Sequence, residues 1–135
     1  MKYLLKSKML SSPRKIQKLF IKFTTWGKLD KAQNLLITYP DIAMPWEKAF
    51  IEAIVNKSYG SVKWLYENAL ALDIHLDIHY NYDQLYQDWC KNGYMYYVEW
   101  LIKCDIIYPW RETASILLEN CYYKQKILDI LHKYC

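Results

Sequence analysis

The chain has 135 residues, 53% of them hydrophobic, with only three Gly and four Pro. That is one domain's worth of core-forming material with few tight-turn residues, which argues against an all-β sandwich and for long helices joined by short links. The net charge of +4 hides an asymmetry. Residues 1–31 hold nine Lys or Arg and one acid, a balance of +8, and the remaining residues balance to −4.

In chain order, the start MKYLLKSKML has Lys6 and Lys8 inside its apolar run, so it is not read as a secretory signal. No apolar stretch approaches membrane-spanning length. Ile16, Leu19, Phe20 and Phe23 keep helical spacing, and a first helix is predicted over 14–25 with a second over 29–38. Further pairs are predicted over 46–56 with 60–71, 82–91 with 95–103, and 111–121 with 125–134. Pro45 and Pro109 sit at helix starts, where a missing N–H costs nothing. Glu47 and Glu112 follow in the first turn, where the positive helix end favours an acid.

The pairs come from an internal repeat. The glycines at 27, 60 and 93 suggest a period of 33, but a shift of 36 matches better. It puts Phe50 on Tyr86, Asn56 on Asn92, Val62 on Val98, Trp64 on Trp100 and Leu65 on Leu101. Gly60 is then incidental, and the turn points are 27, 57 and 93, with Lys57 predicted to bear a small left-handed strain. PWRETA at 109–114 echoes PWEKAF at 45–50. The units are approximately 13–43, 44–79, 80–108 and 109–135.

The stretch LDIHLDIH at 72–79 has two readings. On a helix, His75 and His79 would share a face, as in a zinc site. Read by period two, it alternates apolar and polar residues, as an extended segment does. No second ligand cluster supports the metal reading, so an extended finger loop near 72–81 is expected, with both histidines facing solvent. The cysteines at 90, 104, 121 and 135 form no Cys-x-x-Cys pair and are expected as reduced thiols in a cytoplasmic setting.

NGYMYYVEWLIKCDI (92–106), NKSYGSVKWLYENA (56–69) and WGKLDKAQNLLITYPDI (26–42) resemble the second half of an ankyrin repeat. The style is similar to the divergent ankyrin proteins of giant and other large AT-rich DNA viruses. The family's Thr-Pro-Leu-His opening is absent, and Phe23, Trp89 and Leu117 stand where small alanines are usual. The resemblance implies an all-α, short ankyrin-like solenoid of about four helix-turn-helix repeats. It implies a protein partner, host or viral, in the host cell cytoplasm.

No nucleophile stands beside a base in a recognisable pattern, and no phosphate-cradling loop occurs, so the chain is read as a non-enzyme without a cofactor or metal. Trp64, Tyr97, Trp89, Trp100 and Leu101 occupy core-facing phases. Trp46, Tyr80, Tyr82 and Trp110, at links and helix starts, are expected with His75 and His79 as protein-binding residues; the alternative is that the aromatics seal the ends of helix pairs. The basic head gives a second function: nucleic-acid or anionic-surface binding through Lys15, Lys18 and Lys22. An exposed array end would permit self-association.

Overall fold

The structure, a computed structural model, describes residues 12–117 and 121–134. Among the described residues there are eight helices, in chain order α1 (Pro13–Thr25), α2 (Leu29–Thr38), α3 (Trp46–Val55), α4 (Tyr59–Ala71), α5 (Tyr80–Lys91), α6 (Met95–Cys104), α7 (Trp110–Leu117) and α8 (Lys124–Tyr134). There is no strand among the described residues. The predicted pairs therefore stand, with ends shifted by a few residues. The chain divides into two compact units, one ending at Leu76 and the other beginning at Asp77, inside the LDIHLDIH stretch.

The hairpin turns repeat one chemistry. Gly27, Lys57 and Gly93 all have positive φ, at 72°, 57° and 74°. At each, two backbone bonds close the helix end: Gly27 N to Thr24 O with Lys28 N to Phe23 O, Lys57 N to Ile54 O with Ser58 N to Ala53 O, and Gly93 N to Cys90 O with Tyr94 N to Trp89 O. This pattern satisfies carbonyls that a helix terminus would otherwise orphan. Glycine adopts the left-handed form without cost, whereas Lys57 places a Cβ against the following carbonyl. Gly60 lies within α4 with open space around it, so the 36-residue register holds.

In the first unit α1 packs on α2 and α3, and α3 on α4. The buried face of α1 is Ile16, Phe20 and Thr24, at helical spacing. Phe20 meets Trp46 edge-on at 5.1 Å, and Trp64 completes the aromatic cluster. Ser58 Oγ donates to Thr25 O, tying the turn of the second hairpin to the end of the first hairpin's leading helix, 33 residues back. In the second unit α5 packs on α6, and α6 on α8. Trp89, fully buried, stacks on Tyr97 at 4.9 Å, so the large side chain is absorbed by aromatic partners. Cys121 Sγ contacts Cys90 O at 3.3 Å, 31 residues back, a second contact from an inter-helix link to the end of an earlier leading helix. The side chain of Leu117 lies outside the described residues.

The expected finger is shorter than predicted. A turn at Leu72–Asp73 ends α4, residues 74–77 lack regular structure, and a second turn leads into α5. Leu76 and Ile78 are buried, and the Asp77 carboxylate accepts from His79 N at 2.9 Å. Burial of two alternate residues and this local cap pull the segment inward, so only four residues lie between the two turns.

Candidate interaction surface and buried histidine cluster

The first unit carries an apolar groove of about 600 Å³ beside the start of α3. It is lined by the apolar side chains of Met44, Trp46, Ile51 and Ile74 and by Glu47, Lys48 and Glu52. A second hollow of about 550 Å³ shares Met44, Trp46 and Ile74 and continues past Leu36, Tyr39 and Leu72. The link before α3 supplies Met44 to the lining. Trp46 N donates to Met44 O at 3.0 Å across Pro45, a tight turn that folds the indole back over its own link. Gln17 Nε2 on α1 donates to Ala43 O at 2.8 Å and fixes that link from the other side.

The predicted contact residues fall into three groups. Trp46 and Trp110 are 6% and 1% exposed. The expectation that they are displayed is thereby corrected: both start a helix directly after Pro, and both fold inward as seals. His75 is exposed beside the groove, with Nε2 at 3.1 Å from Asp73 Oδ1, and Tyr82 is 88% exposed. His79 and Tyr80 are half-buried.

His79 is not the solvent-facing histidine expected from the alternation. Its Nδ1 lies 2.6 Å from Asp83 Oδ1 and its Nε2 3.0 Å from Asp105 Oδ2. Each ring nitrogen thus has a carboxylate oxygen within hydrogen-bond distance. Tyr108 stacks on the imidazole at 3.7 Å between centroids, and Tyr108 Oη donates to Asp83 Oδ2 at 2.5 Å. Trp110 closes the cluster, its ring 5.2 Å from His79 and its Nε1 donating to Asp105 O at 2.7 Å. Burial, then the bond to Asp83, raises the pKa of the Tyr108 phenol above its ordinary value, which keeps it a donor.

The cluster holds an unusual backbone. Asn81, Tyr82 and Asp83 all have positive φ, between 54° and 59°, so the first turn of α5 is left-handed. Each such residue costs roughly 1–2 kcal/mol without compensation. The Asp83 carboxylate, drawn inward to His79 and Tyr108, offsets that cost, with Gln87 Nε2 donating to Tyr82 O at 2.7 Å. The turn leaves Tyr82 pointing into solvent. Among the described residues no group of three His, Cys, Asp or Glu is arranged to hold a metal ion. Nor is any helix long and apolar enough to cross a membrane.

Asp83, Asp105 and Tyr108 were not among the site residues expected from the sequence. The available signal was a His four residues before an Asp at a helix start, with a second Asp-Ile, at 105–106, repeating that at 41–42. Lys15, Lys18 and Lys22 are exposed on α1.

The chain matches no family model, no curated protein and no solved structure.

Proposed function

We propose that the chain is a divergent ankyrin-like, non-enzymatic protein-interaction module that presents link and leading-helix residues to a protein partner. The observation carrying this reading is the groove between Met44, Trp46, Ile51 and Ile74, which is built from links and from the leading helix of a hairpin. The two contacts from a link to the end of an earlier leading helix, Ser58 to Thr25 and Cys121 to Cys90, support the repeat reading. A lining both apolar and charged suits an apolar side chain anchored between charged neighbours. Because Trp46 is buried against Phe20 and Trp64, the groove is formed before binding, and little ordering entropy is lost. His75 stands at the edge of this surface, and Tyr82 is a separate exposed aromatic.

Selection from a displayed library of random peptides tests the reading. Enriched peptides are expected to bind the wild-type chain and to weaken at least tenfold, about 1.4 kcal/mol, on the double substitution Ile51→Asp with Ile74→Asp. Far-UV circular dichroism of that variant should be unchanged. Peptides indifferent to both substitutions would overturn the assignment of the groove.

A further inference from the structure

We infer that the outer face of α1, ending at Trp26, is a binding surface for single-stranded nucleic acid. α1 carries Arg14, Lys15, Lys18 and Lys22 and no acid. All four are exposed, and none takes part in an ion pair among the described residues. Lys15, Lys18 and Lys22 fall at steps of three and four, so they share one side of the helix over ~10 Å. Trp26, one turn further on, is 68% exposed. Lys28 and Lys31 extend the positive charge past the turn, and Lys31 Nζ lies 5.7 Å from the Phe23 ring.

A row of cations with an exposed indole at its end matches the two things a single strand offers. Phosphates follow the lysines, and an unstacked base lies on the ring. A duplex offers phosphates and groove edges but no free base face for the ring, since its bases are stacked on one another. An anionic lipid surface would use the charge but needs an apolar face to insert. Most of the apolar face of α1 is committed: Ile16 is 2% and Phe20 0% exposed, and Leu19, at 37%, is the apolar side chain of the helix most open to solvent. The surface therefore favours a strand with free bases over both alternatives.

Fluorescence anisotropy of end-labelled dT12 and rU12 with the full chain, from 50 to 200 mM salt, tests this. Four phosphate contacts predict a single-strand affinity that falls about 50-fold over that range. Changing Lys15, Lys18 and Lys22 together to Gln should flatten most of that dependence. Trp26→Ala should weaken binding about tenfold while Trp26→Phe retains it, because stacking needs a ring and not an indole N–H. Trp26 is exposed, so its variants keep the helical signal of the parent. No binding of either oligonucleotide at 50 mM salt overturns the inference. So does binding indifferent to the three lysines or to Trp26→Ala, equal binding to duplex DNA, or binding to phosphatidylserine vesicles without oligonucleotide binding.

Discussion

Replacing Trp110 by Ala is expected to destabilise the second unit by about 3–5 kcal/mol, the cost of emptying a large buried aromatic site. The indole is 1% exposed, packs on Tyr86 at 4.8 Å and on Tyr108 at 4.7 Å, and donates to Asp105 O. A unit of this size is stable by roughly 3–9 kcal/mol, so the loss is comparable to the whole. Trp26→Ala is the matched control. It removes the same side chain from a site 68% exposed and should move stability by no more than about 0.5 kcal/mol. Urea titrations followed by circular dichroism measure both. Equal midpoints for the two variants would mean that Trp110 is not a seal.

The second large effect concerns His79. His79→Ala is expected to cost about 3 kcal/mol, because it leaves the Asp83 carboxylate buried with its charge uncompensated. Asp83 is 7% exposed and would keep Tyr108 Oη as its side-chain donor. The double variant His79→Ala with Asp83→Ala should cost less than the sum of the two single changes, since no orphaned charge remains. A coupling of about 1–3 kcal/mol is expected from the cycle. Strict additivity would show that the two side chains act independently and that the left-handed turn stands without them. Tyr82, exposed on that turn, does not need changing in this test.

The helices and the hairpin turns were legible in the sequence because their causes are local. Apolar spacing marks Ile16 and Phe20, Pro45 and Pro109 mark starts, and Gly27 and Gly93 mark left-handed ends. Lys57 was legible only through the repeat, since nothing about lysine itself predicts positive φ. The direction of the Trp side chains was not legible. Trp46 and Trp110 sit at the first helical position, where either a displayed or an inward ring fits the pattern. Tertiary partners decide for inward: Trp46 packs on Phe20 and Trp64, and Trp110 on Tyr86 and Tyr108. The histidine cluster was hidden for a different reason. His79 and Asp105 are 26 residues apart, and Asp83 and Tyr108 are 25 apart. No periodicity within one element brings such residues together. The alternation in LDIHLDIH was real for Leu76 and Ile78, but the partner that buries the face of His79 comes from the next link.

The same causes connect the fold to the function proposed. Two aromatic seals, Trp46 and Trp110, fix the links before α3 and α7, and a fixed link can form one wall of a groove. In the first unit Met44 of that link and Trp46 line the apolar groove together with Ile51 and Ile74.

Photo-crosslinking tests the central claim most directly. A benzophenone amino acid is placed singly at Ile51, Ile74, Ile37 and Val55, the last two being 67% and 58% exposed and outside the groove lining. With a selected peptide bound, adducts are predicted at 51 and 74 and not at 37 or 55. Adducts at 37 or 55 with none at 51 and 74 would contradict the account, because the partner would then be held by a surface other than the link and leading helix.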